Sequence, residues 1–169
     1  TNDNLDIKAK KEIRSTGETL QPEAMKMVNN WPEYQQLDQL LTKFYSTSPS
    51  EALHLSKELA TTSQQLKDSL KIERFKQNDI LIRINVLNNY ALRLADMSSI
   101  HNIKNKEVAS EIQNILDAFS ALNAKINNVI QQDKLQEEVY DLEKDTIKKD
   151  SQNNIPIIVN KTNQNTQKH

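Results

Sequence analysis

The stretch Asn78–Met97, NDILIRINVLNNYALRLADM, decides the fold. At about 100° per residue, Val86, Met97, Tyr90, Leu94, Leu87, Ile80, Ala91, Ile84 and Ala95 sweep roughly half the circumference of a helix, and Leu81 and Leu92 extend the arc. Asn78, Asn85, Asn89, Arg93 and Asp96 fill the narrow polar remainder. A helix this apolar needs neighbours on more than one side, so the stretch reads as the central member of a bundle.

Towards the N-terminus, Ser48-Pro49-Ser50-Glu51 is a capping box, with Ser at the N-cap, Pro at the first helical position and Glu at the third. A helix should start there and bury Ala52, Leu55, Leu59, Leu66 and Leu70, with Thr62 or Ser63 weakening the middle of the stripe. Before it, Met25 and Val28 open a stripe that Trp31-Pro32 interrupts and Leu37, Leu40, Leu41 and Phe44 resume. Proline removes a donor and clashes with the preceding turn, so a kink or a new start is expected at Pro32, with Trp31 and Tyr34 packed around the joint. Pro22 suits the first position of a helix. In the polar residues 1–21, Leu5, Ala9 and Ile13 permit a short amphipathic helix.

Towards the C-terminus, Ser98–Lys106 suits a connection, and Asn105 is placed to cap the next helix. Val108, Ile112, Ile115, Phe119, Leu122, Ile126 and Val129 then alternate spacings of four and three, the seam of a helix packed at shallow angles. Past Ile130 the pattern changes phase. Leu135, Val139 and Leu142 form a second stripe roughly opposite the first, so either the helix breaks within Gln131–Lys134 or one helix turns its second half to a different neighbour. Residues 148–169 are rich in Asn, Gln and Lys and read as a disordered tail carrying one apolar island, Ile155–Val159.

Composition supports this reading and narrows the function. One Gly, four Pro and 36% hydrophobic residues suit long helices and leave little for hairpin turns. A lone Gly17 excludes a P-loop or a dinucleotide fingerprint, both of which need glycines where backbone approaches phosphate. A net charge of −1 with both signs interspersed gives no field for nucleic acid. No run approaches the roughly 20 apolar residues of a membrane span. There is no Cys, hence no disulfide and no thiolate site. The chain opens on Thr1, which suggests a processed precursor.

Catalytic chemistry has little to stand on. Glu51-Ala52-Leu53-His54 has the spacing by which di-iron bundles place two ligands on one helical face, but such a site needs a second copy and further inward carboxylates. The second copy is missing, and Glu51 already belongs to the capping box. Neither His101 nor His169 has a carboxylate or His neighbour at helical spacing, and no serine is flanked by the glycines of a nucleophile elbow. No catalytic residue, metal ligand or cofactor is therefore nominated. Arg83 alone breaks a local rule, because it sits within the apolar arc of the central helix. It must snorkel, pair with a carboxylate, for which Asp68 and Glu73 are preferred, or face an anionic ligand.

The strings Trp31-Pro32-Glu33-Tyr34, Phe44–Ala52, Arg83–Leu87, Arg93–Met97 and Lys125–Asn128 resemble a group of exported helical proteins of the Bacteroidota type, commonly predicted as lipoproteins. The similarity spans about residues 25–140 and consists of packing and capping strings. It implies a periplasmic or outer-membrane-attached location and no catalytic activity. The signal peptide and lipid-bearing Cys of that group are not in this sequence, so lipid anchoring would depend on a missing N-terminus and a cytoplasmic location stays open.

The expectation is an all-α, antiparallel up-down bundle of four main helices, about 22–46, 49–73, 78–98 and 105–145, with a long last helix. It divides into an N-terminal segment 1–21, a bundle 22–147 and a tail 148–169. The expected function is non-enzymatic, an interaction with an unknown protein partner or a homo-oligomer through Leu135, Val139 and Leu142. The alternative is a small-molecule-binding or sensor-like bundle with Arg83, Asn85 and Tyr90 as contacts.

Overall fold

A computed structural model describes residues 11–158, with side chains through residue 153. It is an all-α protein. Five helices follow one another: α1 (Pro22–Val28), α2 (Pro32–Thr42), α3 (Pro49–Asp68), α4 (Asn78–Met97) and α5 (Asn105–Ile158). A two-residue strand, β1 (Glu12–Ile13), pairs antiparallel with β2 (Ser46–Thr47). The chain divides into two units, Thr1–Val129 and Ile130–His169.

Within the first unit, proline and capping chemistry set the helix starts. Pro22, Pro32 and Pro49 each occupy the first turn, where a missing donor costs nothing. The capping box forms as read: the Glu51 amide donates to Ser48 Oγ at 3.2 Å and the Ser48 amide to Glu51 Oε2 at 3.4 Å. Trp31-Pro32 is a new start rather than a kink, and Trp31 is buried against Tyr34 and Phe75 with its indole N–H donating to Ser69 Oγ at 3.1 Å. That bond joins the start of α2 to the end of α3. Between α4 and α5 the turn is made at Asn102, whose positive φ of 59° an asparagine tolerates.

The α5 seam is the core's longest line: Val108, Ile112, Ile115, Phe119, Leu122, Ile126 and Val129 are all buried. α4 runs antiparallel to it, tied at one end by Asp79–Lys125 at 3.1 Å and at the other by Arg93–Glu111 at 3.6 Å. α3 packs along α4, where Ser63 Oγ donates to Asn88 Oδ1 at 2.9 Å and Asn88 Nδ2 donates to Gln64 Oε1 at 2.9 Å. α2 meets α5 through Tyr34, whose ring stacks on Phe119 and whose hydroxyl donates to Asn123. The central helix thus has the neighbours its apolar arc demands, although its buried face is narrower than the projection and leaves Val86 and Leu92 partly in solvent.

Several local expectations change. No helix forms over Glu12–Ile13; Ile13 is 86% exposed, while Leu5 and Ala9 lie outside the described residues. The Arg14 amide donates to the Tyr45 carbonyl at 2.8 Å, and residues 17–21 then run along α5. The Glu18 amide donates to Ser120 Oγ at 2.7 Å and the Gln21 amide to Asn127 Oδ1 at 2.8 Å, and the Asn123 and Asn127 amides donate to the Glu18 and Thr19 carbonyls. This strap has no apolar periodicity because backbone groups make its contacts. Asn105 lies inside α5, and Glu107 supplies the cap by accepting from the Lys104 amide at 3.3 Å. α3 ends at Asp68, short of residue 73, and a single 3₁₀ turn, Glu73–Phe75, comes after it. α5 passes through Gln131–Lys134 without a break and runs to Ile158, beyond the expected end near Asp145; Val159 and the residues after it lie outside the described residues.

Gly17 shows how closely the strap lies on α5, since a Cβ there would stand 2.6 Å from the Ser120 Cβ. Gly17→Ala should therefore destabilise by about 1–3 kcal/mol, the usual cost of overpacking. Thermal unfolding beside the exposed control Ser15→Ala checks this, with a midpoint several degrees lower expected for the Gly17 variant only.

Candidate functional site

From Lys134 to Asn153 every described side chain of α5 is exposed. Leu135, Val139 and Leu142 lie on one face of that stretch and are 50%, 53% and 68% exposed. The spacing of four and three that buries the seam before Val129 recurs here, but among the described residues it leaves these side chains exposed. Tyr140 and Ile147, also exposed, stand on a different face, seven residues apart and in phase with Phe119 and Ile126. The distal half therefore carries one continuous apolar stripe and a sparser second one, which periodicity analysis of the first stripe alone does not reveal.

The alternative contacts are placed differently. Arg83, Asn85 and Tyr90 are half-buried on α4. The Arg83 guanidinium reaches back one turn and donates to the Asp79 carbonyl at 2.8 Å. Neither preferred carboxylate receives it: Asp68 accepts from Gln64 and Glu73 pairs with Lys76 at 2.6 Å. A long side chain one turn into a helix finds an acceptor on its own helix without the entropy of bridging to a neighbour.

The first unit does contain a cleft of about 610 Å³, in the range of small-molecule sites, lined by Met25, Val28, Tyr34, Asp38, Tyr45 and Asn123 among others. α2 supplies Tyr34 and Asp38 one turn apart, and the 3₁₀ turn after it supplies Tyr45. Asp38 is the only ionisable carboxylate of the lining. Loss of solvent beside the cleft raises its pKa above the ordinary value. Burial, and then the Asp38 charge, raise both tyrosine hydroxyls, and the hydrogen bond to Asn123 partly offsets this for Tyr34. Of these residues the sequence marks only Tyr34, as packing around the Trp31-Pro32 joint; Asp38 comes from α2 and Asn123 from α5, and only tertiary packing brings them together.

The two E-x-x-H residues line one cleft, but Glu51 already has partners there. Glu51 is engaged by Ser48 and by Thr47 Oγ1 at 3.3 Å, and His54 is exposed. Among the described residues no group of three or more His, Cys, Asp or Glu is placed to hold a metal ion, and no helix is long and apolar enough to cross a membrane.

The raised Asp38 pKa gives a signed prediction. The folded state disfavours ionised Asp38, so this group's penalty is absent below the unfolded pKa and fully present once pH exceeds the folded value. Asp38→Asn should raise the melting temperature at pH 7, and the gain should vanish near pH 3. Melting curves of the two proteins across that range provide the check.

No protein-family model, curated protein or solved structure matches the chain.

Proposed function

We propose that the protein is a non-enzymatic interaction module of the cell envelope, and that the distal half of α5 docks a second helix on Leu135, Val139 and Leu142. One observation supports this above others: the three residues repeat the spacing of a packed seam while more than half, or half, of each side chain remains in water. A helix of some twenty residues that buries nothing is marginal by itself, so a helix laid on the stripe would stabilise both. Full burial is worth about 2 kcal/mol per side chain, and since these three are 50%, 53% and 68% exposed, covering them gains roughly half to two thirds of that each. That total is no more than about the entropy cost of association, roughly 4–15 kcal/mol, so apolar contact alone yields a weak complex and the residues beside the stripe decide its strength. The envelope location rests on the resemblance carried by Trp31–Tyr34 and Phe44–Ala52.

A second reading, a small-molecule-binding bundle, is favoured by the cleft beside Asp38, Tyr34 and Tyr45. It shifts the ligand site from α4 to the junction of α2 and α5.

Photo-crosslinking in the producing cell tests the docking reading. A photoreactive amino acid placed singly at positions 135, 139 and 142 should give adducts, whereas positions 137 and 144, on the opposite side of the helix, should give few. Adducts that ignore the face, or none at all, would contradict it.

A further inference from the structure

The charges beside the stripe say what kind of helix it accepts. With Val139 and Leu142 at the a and d positions of a heptad, Glu143 and Asp150 fall at e, and Glu138 and Asp145 at g. All four are exposed acids. At the e and g positions of the apolar run there is no base: Gln136 takes the remaining e position, Lys134 and Lys148 fall at c and Lys144 at f, and Lys149 appears only after Thr146 has ended the run.

Two parallel copies would set Glu138 against the partner copy's acid at 143, and Asp145 against that at 150. Antiparallel copies would pair g with g and e with e, acid against acid once more. Like charges at these positions oppose pairing, and since the apolar contact is worth no more than about the cost of association, the repulsion is decisive. The same four acids would attract basic flanks. Gln132 before it and Thr146 and Lys149 after it limit the stripe to little more than one heptad.

We propose that the distal face of α5 takes a short amphipathic helix of a different protein, apolar at its seam and lined on both sides by lysine or arginine, and that it rejects a second copy of this chain. This rests on the docking reading and specifies its partner.

The test uses the full chain and three synthetic helices of about three heptads: one with Leu at a and d and Lys at e and g, its twin with Glu at e and g, and a scramble of the Lys peptide. Fluorescence anisotropy at low and high salt reads binding, and light scattering reads the mass of the protein alone. Expected are a monomer and a preference for the Lys helix over both others of roughly tenfold or more, shrinking as salt screens the flanks. Val139→Asp should abolish binding, and E138K/E143K/D145K/D150K, all surface changes, should transfer the preference to the Glu helix. Equal binding of the Lys and Glu helices, lost in Val139→Asp, would overturn the charge inference and leave the docking reading standing. Equal binding of the scramble would overturn the inference by showing bare charge attraction. No binding of any helix would sink both, and a dimer of the protein that Val139→Asp dissociates would make a second copy the occupant and overturn the inference alone.

Discussion

The buried seam of α5 from Val108 to Val129 is the constraint on which the first unit depends. Each neighbour meets it with a different chemistry: α4 through apolar packing bracketed by two ion pairs, α2 through Tyr34 and Phe119, and the strap through backbone hydrogen bonds to Ser120, Asn123 and Asn127. Because the strap is held by backbone groups, its register on the helix is set residue by residue, and at Gly17 the two lie too close for a Cβ.

Polar residues inside the bundle give the packing its specificity. Ser56 and Ser63 are buried on α3; the Ser56 hydroxyl donates to the Leu53 carbonyl of its own helix, and the single Ser63 hydroxyl hydrogen is shared between the Ala60 carbonyl and Asn88 Oδ1 across the interface. A satisfied buried hydrogen bond contributes about 1 kcal/mol, but leaving one partner unmatched costs more, so these pairs disfavour sliding of α3 along α4. Glu111, 2% exposed, is a buried carboxylate whose charge is met at 3.6 Å by the largely exposed Arg93.

Much of this was legible from local rules. The capping box at Ser48–Glu51, the new start at Pro32 and the whole α5 seam come from hydrogen-bonding and spacing requirements that a short window of sequence contains. The phase change after Ile130 was legible too, and Leu135, Val139 and Leu142 are exposed where it puts them. Local rules could not supply the features that depend on distant residues. The strap has no periodicity, Asn88 looks like part of an amphipathic helix until α3 is beside it, and the cleft around Asp38 takes shape only when α2 meets α5. Arg83 misled in the opposite sense: an apparent need for a carboxylate is met by the Asp79 carbonyl one turn away. The end of α5 was obscured because Asn, Gln and Lys suit a solvated helix as well as a loop.

On the docking proposal, α5 has one half that holds the bundle and one half that takes a partner. Hydrogen exchange of the free protein, resolved along α5, tests it most directly. The account predicts that amides between Ile112 and Leu122 exchange only on global unfolding, while those between Lys134 and Asn153 exchange roughly a thousandfold faster or more through local opening. Uniform protection along the helix in the free monomer would contradict it.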